Sequence, residues 1–530
     1  MISPSNNALV AAREAGNGLT APVPDSVRYT PGDCALLVGP AETLLKRLEA
    51  VRLAGLRPAL LCTDFPDPDS LPRGLRALSG ELADVSGWMG TFRARTKARD
   101  GFVDLAPLSL HEDGHFDWVL DFSASARSPV PPPGYYALVT DDFPALKKAL
   151  LEIASRLRNG YEKPRYFNFT ESLCAHRRQE VPGCQACLSV CPADAIRAEK
   201  ETVRIEPHLC QGCGTCALVC PSGAVRHAHP GPGFSLTRLQ AALSAWREAG
   251  GGPVGVWIAS PDQAEEIPDG WLPHVVDEAA SLGLEFWLAA LAAGANRVAI
   301  AADAVPAETR RALEAQIGVG RAILAGLGWP TALSLADTAE ELANLSETLP
   351  AMPTMRPAAL PVGDGKRELL FAAIDALAGE GRSDAVDFAL PAAAPMGDVR
   401  IAADKCTLCA ACVRICPTGA LSLPGTTSQL AFTEQQCLQC GLCLNVCPEK
   451  AVTLAPRLLV SAGARRAPRV VAEADMFACT GCGTPFASRA MIERSRAIMA
   501  DHPMFQGEQA RLMTLCPDCR QRAMAGVVNG

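Results

Sequence analysis

Two stretches of the chain alternate short apolar runs with longer segments of helical period. Near the N-terminus, "DCALLVG" (33–39) precedes "AETLLKRLEAVRLAG" (41–55), and "RPALLCT" (57–63) follows. "FDWVLDFS" (116–123) and "YYALVTD" (135–141) read as further strands, and "FPALKKALLEIASRLRNG" (143–160) as a closing helix. The second stretch runs through "GPVGVWIA" (252–259), "EFWLAALAAG" (285–294), "NRVAIAA" (296–302), "AETRRALEAQIGVGRAILAGLG" (307–328) and "PTALSLAD" (330–337). This strand–helix alternation predicts parallel α/β domains, expected to be doubly wound, at 1–160 and 233–395. The proline-rich "LPAMPTMRPAALPVGDG" (349–365) reads as a linker, and "PAAAPMGD" (391–398) as the approach to a further module.

Elsewhere the pattern is set by cysteine. The chain has 530 residues, enough for several domains, and 22 of them are cysteines. A formal charge of −8 argues against nucleic acid as the main partner. The basic groups Arg93, Arg95, Lys97, Arg99 and Arg465, Arg466, Arg469 lack interleaved aromatics and read as solvated faces. The most apolar run, "LGLEFWLAALAAGANRVAIAADAV", is broken by Glu285, Asn296 and Arg297, so no membrane span is expected. The first residues carry no basic-then-apolar signal pattern, which predicts a cytoplasmic protein. Thiols stay reduced there, so dense, regularly spaced cysteines mean metal rather than disulfides.

The cysteines divide by spacing. Cys210, Cys213, Cys216 and Cys220 read Cys-x2-Cys-x2-Cys-x3-Cys-Pro, as do Cys406, Cys409, Cys412, Cys416 and Cys437, Cys440, Cys443, Cys447. A fourth group, Cys174, Cys184, Cys187 and Cys191, departs from the rule. Val181 stands where its first cysteine should, and Cys174 lies ten residues before Cys184. Each group ends in Pro-x-x-Ala and an apolar residue: "CPADAI", "CPSGAV", "CPTGAL", "CPEKAV". A tight loop brings three thiolates onto one cubane, while the fourth cysteine faces away and serves the other cluster of a pair. Zinc sites use two pairs at longer separation.

These segments resemble bacterial-type ferredoxins with two [4Fe–4S] clusters, over 165–232 and 396–456. The resemblance implies four ligand sets: Cys406, Cys409, Cys412 with Cys447; Cys437, Cys440, Cys443 with Cys416; Cys210, Cys213, Cys216 with Cys191; and Cys184, Cys187, Cys220 with Cys174, brought back by the loop "CAHRRQEVPGC". The rivals for the last set are a [3Fe–4S] site with Cys174 structural, or His176 as substitute. Near the C-terminus (470–530), Cys479 with Cys482 and Cys516 with Cys519 form two knuckles separated by a helix-like stretch. Their tetrahedral thiolate set predicts a zinc-ribbon-like tail with one structural zinc, a rubredoxin-like iron being the alternative. Cys34 and Cys62 read as buried strand residues, and His111, His115, His227 and His229 as loop residues.

The string "VVDEAASLGLEFWLAALAAGANRVAIA" is similar to the delta subunit of methyl-viologen-reducing hydrogenase, whose cluster cysteines this chain lacks between Cys220 and Cys406. The resemblance implies a docking or spacing role. The whole arrangement, ending in "CTGCGTPF" and "CPDC", resembles the large 4Fe–4S proteins that accompany formate dehydrogenases and implies a dehydrogenase partner. "LLVGPAETLL" has one glycine where a dinucleotide fingerprint needs three. The expected architecture is therefore a mixed α/β and α+β multidomain chain with two ferredoxin-like dicluster modules. The expected function is a four-cluster electron-transfer protein working with a redox enzyme. The alternatives are an accessory protein for assembling a molybdenum or tungsten dehydrogenase, and an oxidoreductase subunit binding its own flavin or nicotinamide.

Overall fold

The computed structural model describes residues 4–64, 71–99, 101–123, 130–139, 142–265, 267–303, 305–363, 365–381, 383–424 and 428–528. An N-terminal helix, α1 (Pro4–Asn17), leads into a five-stranded parallel sheet. Its strands are β1 (Cys34–Gly39), β2 (Arg57–Cys62), β3 (Ala77–Ser79), β4 (Trp118–Asp121) and β5 (Tyr135–Ala137), in the order β3-β2-β1-β4-β5. Residues 140–141 of the expected last strand lie outside the described ones. Helices α2 (Ala41–Leu53) and α3 (Phe143–Asn159) bury Leu44, Leu48, Leu146 and Ile153 against one face of this sheet.

The expectation of a doubly wound domain fails here, among the described residues. The opposite face is covered by three antiparallel strands, Leu82–Ser86, Arg93–Ala98 and Gly101–Asp104, and by Phe92, Leu105 and Phe116. The chain between β3 and β4 is rich in polar alternation, so it forms a meander and not a helix. Cys34 and Cys62 are fully buried strand residues.

The second α/β unit has helices on both faces. Strands β6 (Gly255–Ala259), β7 (Trp271–Val275), β8 (Arg297–Ile300) and β9 (Leu333–Leu335) are all parallel, in the order β7-β6-β8-β9. Helices α4 (Pro232–Glu248), α5 (Leu284–Ala292) and α6 (Ala307–Gly326) pack on one face, and α7 (Ala339–Thr348) brings Leu342 onto the other. Every residue of α5 is buried, Glu285 included, so its sequence shows no polar face. α1 lies against α4, with Ala8 and Ala12 in this core and not in that of the first sheet.

The proline-rich stretch near 350 is held along the domain. The Met352 amide donates to Asn296 O at 2.9 Å and the Ala358 amide to Ala292 O at 2.9 Å, and Met352 is buried. It ends at α8 (Lys366–Gly379), which packs against α5.

Each cysteine-rich module is built from short antiparallel pairs. In the first, Phe167–Phe169 pairs with Val225–His227 and Ile196–Glu199 with Thr202–Ile205. In the second, Gly397–Ile401 pairs with Val452–Leu459 and Leu421–Ser422 with Gln429–Phe432. No helix among the described residues is long and apolar enough to cross a membrane.

Candidate metal centres

The repeated Pro-x-x-Ala string has one backbone shape in all four copies. The third residue after the last cysteine is left-handed each time: Asp194 (φ 48), Gly223 (φ 74), Gly419 (φ 69) and Lys450 (φ 50). That turn sends the chain straight into a strand, starting with the buried apolar residue Ile196, Val225, Leu421 or Val452. In two copies it also aims the alanine amide back at the cysteine. Ala195 N donates to Cys191 Sγ, and Ala451 N to Cys447 Sγ, both at 3.3 Å. In the other two, a hydroxyl stands beside the sulfur: Ser222 Oγ 3.6 Å from Cys220 Sγ, and Thr418 Oγ1 3.7 Å from Cys416 Sγ.

The Cys-x2-Cys-x2-Cys loops are equally alike. Gly212 and Gly214, Leu408 and Ala410, and Gln439 and Gly441 are left-handed pairs flanking the middle cysteine of each loop. At Gly214 (φ 78) a Cβ would also come within 2.6 Å of the Ala280 and Ser281 backbone. The loop is thus pressed onto the second α/β unit, and the Thr215 and Thr309 hydroxyls share a buried hydrogen bond of 2.8 Å there.

These loops bring thiols of the same cysteine group, and the last cysteine of the neighbouring group, within electrostatic reach of one another. Burial, helped by Cys213 and Cys191, raises Cys210 to about 11 against the Gly212 amide and Lys163; Cys216 lies well above its ordinary value through burial and the thiols of Cys210, Cys213 and Cys191. Cys184 and Cys187 are pushed by burial to about 11 and about 12, with Cys220 and Cys174 acting on both. Burial first, then Cys406, Cys409 and Cys447, takes Cys412 to about 12. Cys437 and Cys440 both rise to about 11, chiefly by burial, with Cys416 close to each; Cys443 rises with them. Buried thiolates crowded at this density repel one another. A polycation that binds thiolate removes the penalty, so the donor sets fit [4Fe–4S] cubanes.

Cys174 stands in the same local setting as Cys437. Each follows one turn of 3-10 helix, Glu171–Leu173 and Glu434–Gln436, and the two cysteines have nearly equal backbone angles (φ −72, ψ 132; φ −69, ψ 132). The sequence carries the signal as "FTESLC" (169–174) and "FTEQQC" (432–437), a match that the cysteine spacing alone does not reveal. The extra residues after Cys174 form a hairpin, Arg177–Arg178 with Val181–Pro182, turned by left-handed Gln179 and Glu180. His176 sets its Nδ1 3.0 Å from Cys184 O, and its Nε2 is buried with no hydrogen-bond partner among the described residues.

The hairpin carries the first module onto the second. Ala175 and Val181 pack with Ile415, Leu438, Leu442 and Val446. Asn445 Nδ2 donates to Pro182 O at 2.7 Å. Cys184 and Cys440 lie close enough for one thiolate to raise the other. Within each module the sets also touch, Cys187 acting on Cys216 and Cys412 on Cys443. The four sets therefore form one row. From one end these are the Cys210 set, the Cys174 set, the Cys437 set and the Cys406 set.

The start of α8 ties the row together from the side. Lys366 Nζ donates to Ala217 O at 2.6 Å and Leu218 O at 2.8 Å, and pairs with Glu285 at 3.7 Å. Arg367 donates to Pro221 O (3.3 Å) in the first module, Gln435 O (2.7 Å) and Cys437 O (2.9 Å) in the second, and Pro395 O (2.7 Å) between them. Its burial brings the guanidinium down to about 10.

Residues 182–224 and 405–451 match the 4Fe-4S dicluster domain family. The two modules are thus ferredoxin-type dicluster domains. The match stops at their borders, and no curated protein matches the chain. The likenesses to the hydrogenase delta subunit and to formate dehydrogenase-associated proteins gain no support from these comparisons.

The tail gathers its four thiols as well. The Sγ atoms of Cys479, Cys482, Cys516 and Cys519 all lie within 4.8 Å of one another. The first knuckle is the turn between Met476–Ala478 and Pro485–Ser488; the second opens a helix, Pro517–Val528. The fold is thus a hairpin facing a helix start, and not two facing hairpins. Burial works to raise the Cys479 thiol, but amides from Cys516, Gly481 and Cys482 outweigh it and bring it down to about 6. The tail rests on the far end of the row, where Ser488 Oγ donates to Thr407 O and Arg494 pairs with Glu449 at 3.4 Å.

Proposed function

We propose that this protein carries four [4Fe–4S] clusters in a single file and relays electrons between a redox enzyme and its partner. The observation that carries the reading is the packing of Val181 and Cys184 with Leu442 and Cys440, because it joins two dicluster modules that would otherwise be separate two-cluster carriers. The clusters supply one-electron chemistry when bound. The chain's residues present the sulfurs, which bound iron would keep as thiolates, exclude water with apolar walls, and tune each site by amide donors to sulfur and by the Arg367 cation between the modules. Cys174 completes the hairpin-bearing set in this reading. The C-terminal thiols hold one structural zinc, and the tail serves docking at the Cys406 end of the row. A dehydrogenase is the proposed partner, and the cytoplasm the proposed location.

Anaerobically purified protein should hold roughly 16 irons with equal sulfide and one zinc. On reduction its electron paramagnetic resonance spectrum should show spin coupling among clusters. A reproducible iron count near half that value refutes the four-cluster file. A Cys516→Ser variant should lose the zinc and keep all the iron.

A further inference from the structure

A cavity of about 470 Å³ lies between the Cys210 end of the row and the second α/β unit. All four cysteines of the Cys210 set, Cys191, Cys210, Cys213 and Cys216, line one side of it, the side a bound cluster would take up. The two cavities walled by the cysteines of the second module measure about 20 Å³ each, so a cluster's space alone does not account for about 470 Å³. Its volume is that of an ordinary small-molecule site. One wall is the Cys210–Gly214 loop with Cys191 and Ala195; the other is made by the loops that follow β6, β7 and β8.

That second wall is where an open parallel sheet binds ligands. The strand order β7-β6-β8-β9 reverses between β6 and β8, so the chain leaves these two strands in opposite directions and opens a crevice at their carboxyl ends. Ser260 and Gln263 follow β6, and Asp303 follows β8. They are joined across the crevice: the Ser260 amide donates to Gln263 Oε1 at 2.9 Å, and Gln263 Nε2 donates to Asp303.

The charge of the lining restricts the ligand. Asp262, Asp277, Glu278 and Asp303 line the cavity, and among the described residues no lysine, arginine or histidine does. His229 lies behind Asp277, with its Nε2 3.6 Å away. Asp262, Asp277 and Asp303 are exposed at the mouth, while Ala195, Ile196 and Ala301 floor the cavity beside the cysteines. A phosphate-bearing cofactor would meet four carboxylates and no cation. An acidic mouth over an apolar floor attracts a cation and accepts a neutral ring.

We propose that this cavity binds an uncharged or cationic aromatic one-electron carrier at the Cys210 end of the cluster row. The inference rests on the electron-transfer reading and gives it an entrance. The reduced cluster loses one electron, the bound oxidised carrier gains it, and no bond or proton need change place. The tail-bearing end is then left for protein partners.

The test uses full-length anaerobic protein and three ring probes: dicationic methyl viologen, neutral menadione and anionic anthraquinone-2-sulfonate. Calorimetry on the oxidised protein should give one site, with affinity falling in the order dication, neutral, anion and weakening with salt. Val305→Trp should fill the cavity and weaken the dication and the neutral probe at least tenfold at unchanged iron content. Asp262→Lys with Asp303→Lys should reverse the charge order without moving iron content. Tightest binding of the anion to wild type, or unaltered binding in Val305→Trp, overturns the cavity assignment. The four-cluster reading fails separately, on the iron count, so the two failures are distinguishable.

Discussion

The side-chain amide of Asn445 donates to the carbonyl oxygen of Pro182 at 2.7 Å, binding the second dicluster module to a hairpin that interrupts the cysteine run of the first. The departure from regular cysteine spacing is therefore the joint between the modules. A Val181→Glu substitution puts a carboxylate among Leu438, Leu442 and Val446. Iron content should stay unchanged while magnetic coupling between the modules weakens in the reduced protein, read by electron paramagnetic resonance. Unchanged coupling would mean that the modules do not communicate through this contact.

Cys174 offers a sharper test. If it is a ligand, Cys174→Ala converts one cubane to a three-iron site or loses it, so iron falls by about one to four atoms per chain. The oxidised protein should then show the resonance of a three-iron cluster or a proportionate loss of visible absorption. Full iron in the variant would make Cys174 structural.

Arg367 joins both modules with one cation. Arg367→Met leaves the carbonyls of Pro221, Pro395, Gln435 and Cys437 without this donor, a loss of about 3 kcal/mol in unfolding free energy. It also removes positive charge beside the Cys437 set, so that cluster becomes harder to reduce. Potentiometric titration should find its potential lowered, and Arg367→Lys should recover the potential better than the stability.

His274 sets a pH limit. It is buried beside the Arg238 guanidinium, which lies 3.5 Å from its Nε2, and burial first and Arg238 second keep it neutral well below its ordinary value. The unfolded chain protonates it near pH 6.5, where the folded chain does not. Stability is thus complete above about pH 6.5 and declines as pH falls below it, by up to about 1.4 kcal/mol per pH unit. Denaturant unfolding at pH 7.5 and 5.5 should show this decline, and His274→Gln should flatten it.

The dicluster modules were legible because cluster ligation imposes a spacing that chance does not produce. The Pro-x-x-Ala repeat was visible too, though its cause needed coordinates: a left-handed residue at Asp194, Gly223, Gly419 or Lys450 turns each loop into its strand. The meander of the first unit was missed because its alternation is confined to short strands such as Arg93–Ala98, and Gly101–Asp104 is exposed throughout. The Pro350 region read as a linker because proline and small residues mark both free linkers and extended chain laid along a domain. The row of four sets was not legible at all. It depends on Val181 meeting Leu442, two residues of ordinary character far apart in sequence.

The hairpin 177–182 stands between Cys174 and Cys184, two members of one thiol set. Whatever metal joins those thiols also pins both feet of the hairpin, much as a disulfide closes a loop. Val181 and Pro182, which meet Leu442 and Asn445, would then be held in register by the same bonds that hold the iron. Loading the first module would then also prepare the seat for the second. On that reading the joint between the modules depends on iron, so tertiary assembly would report cofactor loading.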